Sequence, residues 1–455
     1  MAGGRRSAAG RASMVAAIAF VAGLGCTAPA PLSTPTPDGL RMDGDAVSWT
    51  TVEAVMGAVR YGRSPGSYTH VAYPAAAARS DRAFTRQHRV RLLSVAVGDT
   101  VHLQALGRTS SGALTASEEL TVVVAGGVAP PACLTWTMID VGFGDSHLLT
   151  MPGTGRHVLV DAGERRDWVN VKRFLDASRI TRLDAVLATH IHEDHIGGMV
   201  GESWTGADGV LGAMDVGAFL DTPDRSGSRV AYDELLATLT ARGIPRSIAR
   251  VGDTGANNPA IAWDPAVRVE VLNAGNGHAA GGEGEGDWIN NDSVVLRVSY
   301  GDVDLMLGGD AESPVQTRIL ATHPTGLASE VLKVHHHGVA DATEPAWLAA
   351  VDPRVGLIPI TTYETTAGTL PSAVVLDRLR QRRVDVYASD RAEPLGLALT
   401  GDAGIDVTVA TDGVGYEVAV APSGSRHWPG GDWGTAARTA TPAPIPSARK
   451  GGGRP

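Results

Sequence analysis

Thr189-His190-Ile191-His192-Glu193-Asp194-His195 directly follows the apolar run Ala185-Val186-Leu187-Ala188. The run reads as a buried strand, so His190, His192, Asp194 and His195 gather at a strand's C-terminal end. In α/β sheets that edge is where sites form. Imidazole and carboxylate ligands suit zinc, or manganese or iron in a more oxygen-rich shell. Ligands this dense cannot all address one ion from one turn. Alternate residues point apart, so His190 and His192 can serve one ion while Asp194 and His195 serve another. The bland alternative, a histidine-rich loop arising by chance, fits the strand context poorly.

Two segments further along carry the same signature. Val303–Leu307 reads as a strand and leads through Gly308-Gly309 to Asp310, whose carboxylate can bridge two cations. Val331-Leu332-Lys333-Val334 reads as another strand and runs into His335-His336-His337-Gly338. Asp310 alone would be an ordinary turn residue; its weight comes from sharing a strand-end position with both histidine clusters. Six of the 14 histidines fall in those clusters. Around them strands alternate with helices. Strands are expected at 134–141, 147–151, 158–161, 184–189, 267–272, 293–300, 303–307, 331–334, 355–360, 384–387, 395–399 and 405–410. Helices are expected at 169–177, 232–242, 345–350 and 372–382. This order predicts a layered α/β domain over 134–421.

Before it, residues 38–127 look all-β. Short β-branched runs at 46–51, 55–61, 88–95, 100–106 and 119–124 are separated by turn residues such as Asp43-Gly44 and Gly98-Asp99. About seven strands in this length suggest a small immunoglobulin-like sandwich. Residues 128–133, with Pro130-Pro131, read as a linker.

The ends differ in kind. Residues 1–26 read as an export signal: Arg5, Arg6 and Arg11 precede an apolar stretch too short for the roughly 20 residues of a membrane span. Gly23-Leu24-Gly25-Cys26 is similar to a bacterial lipoprotein box, which makes Cys26 the expected lipidation site; cleavage after Ala28-Pro29-Ala30 is the alternative. Residues 27–37 are a linker and 422–455 a Pro/Gly/Ser/Thr-rich flexible tail. The expected location is the bacterial cell envelope or the exterior.

Composition narrows the function. Two cysteines in 455 residues exclude a disulfide scaffold and a cysteine-rich zinc module. Basic residues number 39 and acidic ones 49, a net charge of −10. Export of residues 1–26 would remove three arginines and no acid. This acidic balance argues against broad, non-specific nucleic-acid binding.

His-x-His-x-Asp-His, with Asp161 before it and Asp310 and His336 after it, resembles the metallo-β-lactamase superfamily. The pattern is closer to the extracytoplasmic hydrolase domain of the ComEC-like group. The residues that carry this are Asp140-Val141-Gly142-Phe143-Gly144-Asp145-Ser146, Leu159-Val160-Asp161-Ala162-Gly163, Asn290-Asn291-Asp292-Ser293, Gly308-Gly309-Asp310-Ala311-Glu312 and Leu332-Lys333-Val334-His335-His336-His337-Gly338. The earlier region resembles fibronectin type III domains and the N-terminal sandwich of purple acid phosphatases through Trp49, Val59-Arg60-Tyr61-Gly62 and His88-Arg89-Val90-Arg91-Leu92.

The resemblance implies an αβ/βα sandwich holding two divalent metal ions, zinc ahead of manganese or iron. It implies His190 and His192 on one ion, Asp194 and His195 on the other, and Asp310 bridging. His336 is the remaining ligand, His337 a substrate contact, and Asp194 a holder of the attacking hydroxide. Asp161, Asn290, Asn291 and Lys333 are expected to hold the ligands from behind. Two departures stand out: Asn290–Ser293 replaces the superfamily's usual Gly-His-Thr, and Leu370-Pro371 stands where the group often has His-Pro.

The implied activity is metal-dependent hydrolysis of a phosphodiester in nucleic acid or an envelope polymer. The alternatives are hydrolysis of a carboxylic ester, thioester or lactam, or a non-catalytic surface-binding module. His195 stands where the main zinc β-lactamase group has Cys.

Overall fold

A computed structural model describes residues 38–126, 131–202, 208–223, 230–275, 285–360, 363–365, 368–393 and 404–424. The proposed export signal, Cys26, the strand expected at 395–399 and the tail beyond residue 424 lie outside the described residues. No helix among the described residues is long and apolar enough to cross a membrane.

Among the described residues the strands form two large sheets and two small two-stranded ones. The seven-stranded sheet runs Val267–Asn273, Val295–Tyr300, Val303–Leu307, Val331–Lys333, Val355–Ile358, Asp385–Ala388, Arg391–Glu393. Its middle is parallel from Val303–Leu307 to Asp385–Ala388. Opposite lies a second sheet with a parallel run through His157–Val160, Ala185–Leu187, Phe219–Asp221 and Arg246–Ile248.

Residue patterning explains the layering. The parallel strands are continuous apolar runs because both faces are buried. One core cluster joins inner-face residues of both sheets, including Leu149, Val158, Leu187, Val269, Leu305, Val331 and Leu357. A second packs Leu159, Val186 and Phe219 under helices through Val171, Ile196 and Leu235. A third packs Met306, Leu332 and Ile358 under helices through Ile319, Trp347 and Leu379. Helix, sheet, sheet, helix is thus the order of layers, the αβ/βα sandwich expected from the sequence.

Several elements differ from the sequence expectation. Helices Glu193–Val200, Gly209–Ala213, Glu285–Asn291 and Ser313–Thr322 were not expected, nor were strands Phe219–Asp221, Arg246–Ile248 and Tyr416–Pro422. Glu193–Val200 is short and holds two glycines, which weakens its intrinsic helical signal. Its glycines serve packing: a Cβ on Gly198 would stand 2.0 Å from the carbonyl oxygen of Ala162. The two strands expected at 46–51 and 55–61 are one long strand, Ala46–Gly62.

That strand belongs to an N-terminal region with its own core of Val47, Trp49, Val59, Tyr61, Val90, Leu103 and Val124. The region does not hang from a tether. Its strand His70–Tyr73 pairs antiparallel with Tyr416–Pro422, which makes that second sheet fifteen-stranded. Tyr73 and Tyr416 stack with centroids 4.9 Å apart. Tyr416 Oη donates to Asp81 Oδ2 at 2.8 Å, and Tyr61 Oη donates to Glu417 Oε2 at 2.8 Å. Buried Asp385 pairs with Arg354, at 3.2 Å, and with Arg108 from the N-terminal region. The two guanidinium groups share this one carboxylate, and removing either partner would leave a buried charge poorly compensated.

Candidate metal centre

All the proposed ligands sit where strands end. His190 and His192 follow Ala185–Leu187, and Asp194 and His195 open the helix Glu193–Val200. Asp310 follows Val303–Leu307, and the triple histidine follows Val331–Lys333. The two parallel runs face each other across the central core, so their C-terminal ends meet. Local backbone sharpens the convergence. Asp161, His336 and His337 have φ of 57°, 48° and 49°. Non-glycine residues take that left-handed conformation at a cost of roughly 1–2 kcal/mol each, and such residues cluster at functional sites.

The side chains close on one another. His195 Nε2 lies 3.1 Å from Asp310 Oδ2, and its Nδ1 lies 2.8 Å from Asp161 Oδ2. His337 Nε2 lies 3.4 Å from Asp310 Oδ2 and 3.2 Å from Asp194 Oδ2. His190 Nε2 faces His192 Nδ1 at 3.1 Å, while its own Nδ1 is backed by Thr189 Oγ1 at 3.1 Å and Ser293 Oγ at 3.4 Å. The His190 and His195 rings are 4.1 Å apart. Of the candidates, His192 and Asp194 are half-buried and His336 keeps 23% of its side-chain exposure; His190, His195, Asp310 and His337 are sealed. The open side of the site is therefore the side of His192, Asp194 and His336.

Asp310 is held from two directions. Its backbone N donates to Ser293 Oγ at 3.0 Å, and Lys333 Nζ donates to its Oδ1 at 3.1 Å. Oδ2 is thereby left to face His195 and His337. Lys333, fully buried, also meets Asp145 Oδ2 at 2.8 Å. Burial opposes its charge, but Asp145 and Asp310 outweigh burial and hold its pKa above the ordinary lysine value. His190 goes the other way: burial, then the neighbouring His195 and His192, pushes its pKa well down. A neutral imidazole is the form that binds a cation.

The structure separates the three consecutive histidines. His337 enters the cluster. His336 stands at its rim, with Nε2 3.9 Å from Asp310 Oδ2 and Nδ1 3.2 Å from Glu312 Oε1. Asn290 Nδ2 donates to Glu312 Oε1 at 2.9 Å, and Asn291 Nδ2 donates to Glu312 Oε2 at 3.2 Å. Asn290 and Asn291 thus hold the carboxylate that holds His336. His335 points inward, its Nδ1 2.8 Å from the carbonyl oxygen of Ala311.

The sequence alone assigns Asp145 no role, although it lies in Gly144-Asp145-Ser146. In the structure Asp145, His195, Asp310 and His337 each offer a ligand atom, all within 4.8 Å of one another. The signal for Asp145 was its glycine-flanked loop, placed just before strand His147–Thr150. Gly144 has φ of 110°, and a Cβ there would stand 2.2 Å from the carbonyl oxygen of Asp194. The Asp145 loop and the Asp194 turn are therefore in backbone contact. Imidazoles and carboxylates aimed at a shared volume, with their far atoms held by protein partners, are a donor set that fits divalent cations.

Residues 139–361 match the metallo-β-lactamase superfamily. The chain carries a metallo-β-lactamase domain. ComE operon protein 3 of Bacillus subtilis is 24% identical over 270 residues, covering 56% of this chain and 31% of that protein. The uncharacterized protein YcaI of Escherichia coli is 30% identical over 96 residues, covering 21% of this chain and 12% of that protein. The chain thus spans less than a third of the length of either relative. Among solved structures, the diiron β-hydroxylase CmlA from Streptomyces venezuelae aligns at 13% identity over 67% of each chain, with a TM-score of 0.32. The fibronectin-like reading of the region before the metallo-β-lactamase domain finds no support in these likenesses.

Proposed function

We propose that this chain is an exported, metal-dependent phosphodiesterase. The observation that carries the reading is Asp310. Its Oδ1 is tied to buried Lys333, so Oδ2 is directed between His195 and His337. A carboxylate restrained in this way suits bridging between two cations. His190, His192, Asp194 and His195 would hold the pair together with Asp310, with Asp145 and His337 as further donors. Divalent ions in such a setting supply Lewis acidity toward a phosphoryl oxygen.

The chain's own residues do the rest. Asp161 fixes the tautomer and direction of His195, and Thr189 and Ser293 do the same for His190. Asp194 stands at the open side, where it can orient an incoming group and exchange a proton with it, and buried His337, 3.2 Å away, holds its carboxylate. The Phe143 ring, 5.1 Å from His337, covers one side of this imidazole. Export rests on residues 1–26, and membrane anchoring on a lipid at Cys26. The substrate is a phosphodiester in nucleic acid or an envelope polymer.

The test is a metal-supplemented screen with bis-p-nitrophenyl phosphate, single-stranded DNA and nitrocefin. Cleavage of the phosphodiester, abolished by Asp194→Ala and Asp310→Ala, is expected. Cleavage of nitrocefin alone would replace the phosphodiesterase reading with a lactam hydrolase.

A further inference from the structure

Away from the metal centre a cavity of about 490 Å3 opens between the N-terminal region and the outer helices of the seven-stranded sheet. That volume lies within the roughly 300–1,000 Å3 of small-ligand pockets. Arg82, Arg378, Arg382 and Arg383 line it, with Asp352 as the one acid among the lining residues. Arg382 caps the C-terminus of helix Ala373–Gln381, and Asp352 caps that of helix Pro345–Val351. Both precede parallel strands, Asp385–Ala388 and Val355–Ile358. The cavity therefore lies at the edge where those strands begin, opposite the edge that holds the metal centre.

Positive charge here exceeds what the fold requires. Asp352 lies 3.1 Å from Arg82 and 3.5 Å from Arg382, so one carboxylate serves two of the lining guanidinium groups, while the neighbouring Arg79 pairs with Glu330. Helix C-termini attract cations, and this accounts for an arginine such as Arg382 beside its own helix end. It does not account for Arg82, which comes from the separate segment Ala77–Arg82. Arg82 Nη2 donates to the carbonyl oxygen of Arg382 at 2.7 Å, which anchors it in place. Arg378 is anchored by the carbonyl oxygens of Ala340 and Ala342 and pairs with Glu344 at 3.4 Å, and Arg383 is anchored by the carbonyl oxygen of Ser110. Among the described residues, the side chain of Arg382 makes one ion pair, Nη1 to Asp352, and keeps 37% of its exposure. Preformed guanidinium forks of this kind recognise phosphate oxygens in a bidentate manner. The chain as a whole is acidic, so this concentration of arginine is local.

We infer that this arginine-lined cavity is a binding site for a phosphate-class anion, separate from the metal centre. Three different segments contribute to it, so its occupant would bridge the N-terminal region to the metallo-β-lactamase domain.

Calorimetric titration of the full, metal-loaded chain with inorganic phosphate at fixed ionic strength tests the site, with acetate as the comparison anion. Saturable phosphate binding is expected, with acetate at least tenfold weaker. Arg382→Ala should weaken it about tenfold or more, the loss of one charge-assisted contact. Asp352→Asn removes the competing carboxylate, keeps a residue tolerant of the local φ of 43°, and should tighten binding several-fold. Asp310→Ala should leave this binding in place. The inference is overturned by an absence of saturable binding, by equal binding of acetate, or by phosphate binding indifferent to both cavity substitutions. Loss in Asp310→Ala with retention in Arg382→Ala would put the anion at the metal centre and overturn it equally.

Discussion

At the scale of single residues the three adjacent histidines separate by what each nitrogen faces. His337 Nε2 faces Asp194 and Asp310, so His337→Ala should reduce bound metal by at least half and the rate by about 100-fold or more. His335 Nδ1 instead faces the carbonyl oxygen of Ala311, and a Cβ on Gly308 would come 2.1 Å from its Nε2. His335→Gln should therefore lower stability and leave metal content unchanged. Metal analysis beside urea melts separates the two; equal metal loss in both variants would contradict the assignment. The strand-end grouping of His190, His192, Asp194, His195 and Asp310 was legible from the sequence because each follows an apolar run. The part taken by Asp145 was not, because its contacts to Lys333 and His337 join segments far apart in the chain. Choosing among His335, His336 and His337 depends on two successive left-handed residues, which a run of identical side chains does not announce.

At the scale of elements the helix Glu193–Val200 is the piece on which the site turns. It carries Asp194 and His195 in its first turn, and Gly198 lets it press against the backbone of Ala162. Gly198→Ala would force the two apart, because its Cβ would meet that carbonyl oxygen at 2.0 Å. A rate loss of tenfold or more with a lowered melting temperature is expected; unchanged values would mean that this close approach is dispensable. The strand His70–Tyr73 makes a different prediction. Burial, then Arg63, pushes the His70 pKa down to about 4. The neutral ring therefore contributes stability that is present above pH 6.5 and is lost as pH falls from 6.5 toward 4. One such site gives a slope of at most about 1.4 kcal/mol per pH unit. Replacing His70 by Gln should flatten the stability profile in that window, read by denaturant melts from pH 7 to 4. An identical profile in the variant would remove His70 as its source. Short helices such as Glu193–Val200 escaped the sequence reading because tertiary contacts rather than periodicity make them.

At the scale of the whole molecule the N-terminal strands and the metallo-β-lactamase domain share one sheet. The sequence marked the change of pattern near residue 131 but not the pairing of His70–Tyr73 with Tyr416–Pro422, whose partners are more than 300 residues apart. Edge pairing depends on which strand is left open by the rest of the fold, and local patterning does not encode that. Removing residues 1–126 would expose the edge of Tyr416–Pro422 and strip Arg108 from Asp385. The shortened chain should aggregate or lose several kcal/mol of stability. A monodisperse fragment with unchanged melting would show the two regions to be independent. The layered order itself was legible, since continuous apolar strands alternating with helices leave few other packings. The central claim is that strand ends from both sheets build one dinuclear, hydrolytic metal centre. Its most direct test is metal content measured on the purified chain beside phosphodiesterase activity. Close to two divalent ions per chain, lost together with activity in Asp310→Ala, is the predicted result. Fewer than about one ion per chain with full activity would contradict it.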